Sequence, residues 1–361
     1  MPSPKPNVRD DDWLHSLWAS DGIGARVARA ALTPAELLFG AITAVRGSLY
    51  SSGVLSAHAT AIPALSIGNL TVGGTGKTPL AAFFAGRLKR AGAWPAIVLR
   101  GYGEDEPLVH RTLNPDVPVI VSADRVAGAE TAKRAGCDVV VLDDAFQHRR
   151  AGRVADVVLL SADSWRQHRH LLPSGPWRER LTAARRASLA IVTRKAVSVD
   201  RADVVVQAVR SAASVPCAVI HLDAVELRTT EDSRAATIDA LRGESVLAIS
   251  AIGDPASFGA QLTERGAVVT PAAFRDHHRF TVGEVETLAR RAHGHDRVVC
   301  TLKDAVKLGP LWPGPSLLWY VSQRVVVERG GDAVDAVLET TLLARVASTQ
   351  PGRPGLPGPR D

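Results

Sequence analysis

Apolar and polar positions follow two different periods along this chain. From residue 61, short uninterrupted apolar runs predict buried strands at Ala64–Ile67, Ala96–Leu99, Val117–Val121, Asp138–Leu142, Asp156–Leu160 and Leu189–Thr193. Helical spacing fills Lys77–Ala91 and Arg125–Ala135, each followed by a glycine stop at Gly92 and Gly136. Fully apolar strands separated by helices predict an α/β fold with a mainly parallel sheet flanked by helices. The pattern restarts near Val215. Strands are expected at Cys217–Leu227, Val246–Ser250, Val298–Thr301 and Leu317–Val321, and helices at Pro255–Arg265, Val282–Ala292 and Ala333–Val346. The expected organisation is an N-terminal segment over 1–60, a core over 61–214, a second smaller α/β lobe over 215–348, and a disordered Pro/Gly-rich tail over 349–361.

The N-terminal segment carries one apolar helical pattern. Leu38, Ile42, Val45 and Leu49 recur at helical spacing, with Phe39 and Ala41 widening the stripe. Thr33-Pro34-Ala35-Glu36 has the spacing of a capping box, which would start the helix there. The run is short for a bilayer crossing, which needs ~20 apolar residues, and it contains Glu36. Two readings remain: a helix packed on the core, or a helix lying in a membrane interface with Arg26, Arg29 and Arg46 near lipid phosphates. Asp10, Asp11 and Asp12 precede any apolar run, which excludes a secretory signal.

Composition narrows the class further. The chain has 361 residues, 46% hydrophobic and 22% charged, which suits a globular protein and excludes wholesale disorder or a polytopic membrane protein. Three widely spaced cysteines give neither a disulfide framework nor a zinc site, and suggest a reducing compartment. A net charge of +6 favours an anionic partner. No DNA-binding motif accompanies that charge, so nucleic acid is not expected. Only seven of the 43 basic residues are lysine, which makes each retained lysine worth following.

The sharpest local signal is the glycine-rich run Gly68-Asn69-Leu70-Thr71-Val72-Gly73-Gly74-Thr75-Gly76-Lys77-Thr78, between a predicted strand and a predicted helix. Glycines let successive backbone N–H groups face phosphate oxygens, and the helix N-terminus adds partial positive charge. Gly73, Gly74, Thr75, Gly76, Lys77 and Thr78 would cradle ATP, with Lys77 on the β- and γ-phosphates and the Thr78 hydroxyl on magnesium. The strict spacing of such a loop puts glycine where Thr71 stands. The run Asp138–Leu142 leads into Asp143 and Asp144, the acidic strand end that a phosphoryl-transfer site needs for Mg2+. Asp144 has a second reading as a helix N-cap.

With these blocks in place, the chain resembles the tetraacyldisaccharide 4'-kinase family of lipid A biosynthesis. The resemblance runs from about Ile62 to Leu308. It rests on GNLTVGGTGKTP (68–79), RGYG (100–103), DEP (105–107), DRV (124–126), DDAFQHRR (143–150), LLPSGPWRE (171–179), DHHRFT (276–281) and TLKDAVKL (301–308). It implies a P-loop NTPase-like core and phosphoryl transfer from ATP to the 4'-hydroxyl of an acylated glucosamine disaccharide phosphate lipid. It also implies work at a membrane surface, on the cytoplasmic face of the bacterial inner membrane.

Three departures from the family pattern stand out: a short link between Gly103 and Asp105, Ala145 in place of glycine, and Leu302 in place of an acidic residue. The resemblance further implies an Asp–His pair that orients the acceptor hydroxyl and takes its proton, at Asp105 and His277. Arg125 and Arg178 would neutralise phosphate charge, Arg178 having an ion pair with Glu179 as its alternative. His148 would face phosphate or magnesium-bound water, or else cap a strand end. A competing reading is a P-loop kinase or ATP-dependent ligase for a small soluble substrate. A nucleotide switch is a second, and it leaves most of these blocks without a role.

Overall fold

Every residue from Ala64 to Asn69 is buried, the pattern of a strand covered on both faces. The chain is a computed structural model that describes residues 17–18, 20, 22–101, 103–166, 168–231, 234–253, 255–313 and 317–349. The rest of the expected tail, 350–361, lies outside the described residues. After an N-terminal helix α1 (Ile23–Ser51), the first half runs β1 (Ala64–Asn69), α2 (Lys77–Arg90), β2 (Pro95–Leu99), α3 (Asp105–Leu113), β3 (Val119–Val121), α4 (Arg125–Arg134), β4 (Val139–Asp143), β5 (Ala155–Ser161), β6 (Leu189–Arg194) and α5 (Val199–Ala212). The second half runs β7 (Cys217–Thr229), β8 (Ala235–Thr237), β9 (Ser245–Ser250), α6 (Pro255–Glu264), β10 (Val268–Ala273), α7 (Val282–Ala292), β11 (Arg297–Thr301), α8 (Leu302–Leu308), β12 (Leu318–Arg329) and α9 (Gly331–Thr349).

One sheet carries both halves, in the order β10-β9-β11-β12-β7-β6-β5-β1-β4-β2-β3, with β8 added on β7. Neighbours are parallel except β12 and β8 against β7. The register explains the geometry of the cleft. Strand β6 pairs only with Cys217–His221 at the start of β7, whereas β11 pairs with Leu318–Val321 of β12, which lie opposite Leu227–Thr229 at the far end of β7. The outer half-sheet is thus displaced along β7 past the carboxyl edge of the first. Being antiparallel to it, the outer half-sheet turns its own carboxyl edge back. Ligands of α/β sheets bind at such edges, and here two of them face one another.

The chain returns from this excursion along β12. Val334, Val337 and Leu338 of α9 pack with Leu65, Phe84 and Leu88 in the first core. Val215 and Val219 pack in the second core of that half, with Val158 and Val192. The outer lobe proper has its own cluster around Leu247, Ile249, Val285, Leu288 and Leu318. Its packing therefore spans less of the chain than the 215–348 expected from the pattern.

Helix α1 starts ten residues before the expected capping box, with Pro34 in its interior. The Thr33 hydroxyl donates to the carbonyl of Arg29 one turn back, so Thr33 caps nothing. Glu36 faces the protein, accepting from the Leu171 N–H at 2.8 Å and meeting the His170 ring at 3.3 Å. No residue of α1 is buried, and Leu37, Leu38, Ile42 and Val45 are each more than half exposed. Helix α1 therefore rests on the core along one edge without entering it. That edge packs on the protein, with Phe39 against the second core and Glu36 on Leu171, while Leu37, Leu38, Ile42 and Val45 look outward.

Because α9 completes the first core, Leu338→Ala should destabilise the first half. The expected loss is about 2–4 kcal/mol, seen as an earlier thermal unfolding transition. An unchanged melting temperature would show that α9 is not an integral part of that core.

Candidate active site

The glycine loop closes over the end of β1. Gly76, at φ 85°, caps α2 in a left-handed conformation, and a Cβ there would sit 2.5 Å from Leu222. Thr75 is locked from both sides. Its hydroxyl accepts from Asn69 Nδ2 at 2.9 Å, its carbonyl accepts from the Thr193 hydroxyl at 2.9 Å, and its N–H donates to Gly73. The Gly74 carbonyl accepts from Lys195 Nζ at 3.3 Å, a cation that the sequence motifs did not single out. Thr78 follows Lys77 in the first turn of α2, half-buried.

Strand β4 brings two carboxylates to the same edge, and they divide their partners. Asp144, at φ 49°, lies 3.7 Å from Lys77 Nζ and accepts from Arg178 at 3.0 Å. Burial raises its pKa, but Lys77 and Arg178 outweigh that and hold it below the ordinary carboxylate range. The left-handed residue is Asp144 and not Ala145, so the alanine in place of glycine carries no backbone strain. Asp143 is 3% exposed, with Oδ2 2.8 Å from His110 Nε2 and a buried Oδ1 that has no hydrogen-bond partner.

Two predicted phosphate ligands, Arg125 and His148, lie beside the end of β4, and each keeps a buried nitrogen without a hydrogen-bond partner, Arg125 Nε and His148 Nε2. Arg125 is 2% exposed and donates to the carbonyls of Ser122 and Asp143, fixing the end of β4. His148 is partly buried beside Arg125 and Arg153; burial first, then these cations, lower its pKa and keep it neutral. Arg178 behaves differently. Glu179 is taken by Arg186 and Gln147, which leaves Arg178 with Asp144 beside Lys77.

The facing edge supplies the second half of the site. Asp105, at the start of α3 and 2% exposed, accepts from His277 Nδ1 at 3.2 Å across the cleft. Lys303, at the start of α8, meets His277 Nε2 at 3.0 Å and donates to Asp276 at 3.1 Å. An ammonium can only donate, so Nε2 offers its lone pair and the ring proton sits on Nδ1, toward Asp105. Burial would raise the Asp105 pKa, but the His277 hydrogen bond and the charge of Lys303 bring it down to about 2. His277 is pushed up, chiefly by that same hydrogen bond. His278 points away, onto Glu284 and the Phe274 ring. Lys303 was missed because Leu302 breaks the expected block, yet lysine is scarce in this chain and that scarcity was a usable signal.

Glu106, next to Asp105, is raised by burial and then by Asp143. A carboxylate edge of this kind beside an orphaned Asp143 oxygen suits a hard divalent cation such as magnesium.

The family model described as tetraacyldisaccharide-1-P 4'-kinase matches residues 28–343. A protein of Anaeromyxobacter dehalogenans named tetraacyldisaccharide 4'-kinase is 38% identical over 360 residues, covering 91% of this chain and 95% of the relative. One of the same name from Halorhodospira halophila is 36% identical, covering 91% and 97%. Among solved structures, the "apo" form of LpxK from Aquifex aeolicus in complex with ATP superposes with a TM-score of 0.66 at 26% identity, over 86% of this chain and 99% of that one.

Gly103 leaves no room for a side chain: a Cβ would lie 2.1 Å from Asp105 Oδ1 and 2.6 Å from His277 Nδ1. Gly103→Ala should therefore separate the pair. Since Asp105 is what raises the His277 pKa, an NMR titration of the ring should move to lower pH in the variant. An unshifted titration would mean that the pair is not the source of the shift.

Proposed function

The chain belongs to the tetraacyldisaccharide-1-P 4'-kinase family, an ATP-dependent phosphotransferase family of lipid A biosynthesis, and on that premise we propose a division of labour among its residues. His277 takes the proton of the acceptor's 4'-hydroxyl at Nε2, and Asp105 holds the ring through Nδ1. The observation that carries this reading is the Asp105–His277 hydrogen bond made between two lobes at facing strand ends. Lys303 occupies the position in front of Nε2 and yields it to the hydroxyl, its charge then available to the moving phosphoryl group. Lys77 and Arg178 leave Asp144 for phosphate oxygens, a stronger anion at the same spot. Gly73, Gly74, Thr75 and Gly76 cradle the phosphates. Asp143, with its free Oδ1, and the Thr78 hydroxyl would hold magnesium, which when bound offsets charge on the β- and γ-phosphates. Asp144 serves first to hold the two cations over the loop. Arg125 and His148 support the site through the end of β4.

The acceptor is an acylated disaccharide phosphate whose chains keep it in a bilayer, each buried CH2 contributing about 0.8 kcal/mol. The exposed apolar face of α1 supports work at a membrane surface, on the cytoplasmic side where ATP is available. A small soluble acceptor would give that face no purpose.

The deciding assay offers labelled ATP with the lipid disaccharide, with soluble sugars, and with no acceptor. Label should enter the lipid alone. Lys77→Ala should abolish transfer while the protein stays folded, each ~1.4 kcal/mol of lost transition-state stabilisation being tenfold in rate. Near-normal turnover by that variant would refute the nucleotide site.

The base must be neutral to accept a proton, and His277 is raised above its usual 6.5, so kcat should climb with pH through a value above 6.5. Asp105→Asn removes the group that raises it. Its plateau should fall and its rising limb should move to lower pH. A limb that stays in place would assign the titration to another residue.

For α1, the double substitution Leu38→Glu with Ile42→Glu should weaken sedimentation with anionic vesicles and raise KM for the lipid. Melting temperature and nucleotide affinity should hold, because neither side chain is buried. Unchanged vesicle binding would rule this face out as the membrane contact.

A further inference from the structure

Beside the N-terminal end of α1 lies a recess of about 240 Å³ that the nucleotide site does not use. Its lining includes Arg29, Arg166, Arg201, His168, His170 and Ser174 and, among the described residues, no carboxylate. Trp165 forms part of the wall, packed edge-on against Trp177 at 5.8 Å between ring centres. Backbone carbonyls orient two of the guanidinium groups: Arg201 donates to Trp165, and Arg29 to Leu17 and Ser20. Glu36, the nearby acid, is engaged by the His170 ring and the Leu171 N–H. At the wall sits a completely buried hydroxyl, Ser174 Oγ, with no hydrogen-bond partner. A buried polar group without a partner calls for a ligand or water, and Arg166 and Arg201 beside it select an anion.

The recess is tied to the reacting edge. Ser174 and Gly175 belong to the strip that continues through Pro176, whose carbonyl accepts from Val72 of the glycine loop, to Arg178 beside Asp144. We propose that this recess is a second anion site that binds a phosphate group, separate from the nucleotide phosphates. Arginine forks and a serine hydroxyl suit phosphate oxygens. Three sources share that chemistry: the phosphate at the far end of the acceptor lipid, a phospholipid headgroup beside α1, and free phosphate.

The test uses the full chain and the variants Arg166→Glu and Ser174→Ala, neither of which touches the nucleotide or the Asp105–His277 pair. In detergent, wild type is given the acceptor with and without its 1-phosphate. If the recess takes that group, the phosphorylated acceptor should have a KM lower by about tenfold, and both variants should lose the difference with kcat retained. If it takes a headgroup, both variants should lose sedimentation with phosphatidylglycerol vesicles relative to phosphatidylcholine. If it takes free phosphate, millimolar inorganic phosphate should raise the melting temperature of nucleotide-saturated wild type and not of the variants. Ser174→Ala decides alone if Arg166→Glu melts early. Variants equal to wild type in all three arms would overturn the proposal. Only the first arm rests on the lipid-kinase reading, and wild-type turnover of the phosphorylated acceptor checks that reading separately.

Discussion

The antiparallel ribbon of β7 and β12 is the constraint on which the rest of the molecule depends. Were β12 parallel to β7, the outer half-sheet would point its strand ends away from the glycine loop. Reversing it and displacing it along β7 brings the ends of β9, β10 and β11 over those of β1, β2 and β4. Asp105 and His277 are 172 residues apart and meet at 3.2 Å for that reason. The ribbon also returns the chain to the first core, where α9 packs. The two halves are thus tied at both ends of the excursion.

Charge follows the same logic. The facing edges gather carboxylates at Asp105, Glu106, Asp143 and Asp144, and these would repel one another without compensation. Lys77 and Arg178 answer Asp144, and Lys303 with His277 answers Asp105. Phosphate and magnesium bring the same two signs of charge. The resting contacts thus keep the cations and carboxylates of the two edges paired within the site itself.

Much of this was legible in the sequence. Apart from the edge strand β3, the strands of the first half are mostly apolar because both faces are covered, and the positions of all six held within about two residues. The glycine loop and the Asp143–Asp144 strand end were also readable from local pattern, whereas His277 came from the family resemblance alone. What was not readable depends on distant contacts. Asp105–Leu113 is short and begins with two acids and a proline, so it carries no apolar period of its own. Arg125 looks like any exposed helix-start arginine until β4 covers it. The Thr33–Glu36 spacing mimicked a cap, but Glu36 accepts from the Leu171 N–H, far along the chain. Lysine scarcity pointed further than the motifs did. Four of the seven lysines, at 77, 195, 303 and 307, contact the site or the loops that form it.

The left-handed backbone at Asp144 sets a limit on how stable this protein can become. A non-glycine residue in that region costs on the order of 1–3 kcal/mol. Glycine would relieve the cost at once. It would also leave Lys77 and Arg178 side by side with no anion between them, exchanging a backbone strain for a repulsion of like charges. Selection for a sturdier fold and selection for a charged site thus pull on the same residue in opposite directions. The strain persists because no residue type at that position satisfies both, which makes Asp144 a point where thermostabilising variation and activity should trade against each other.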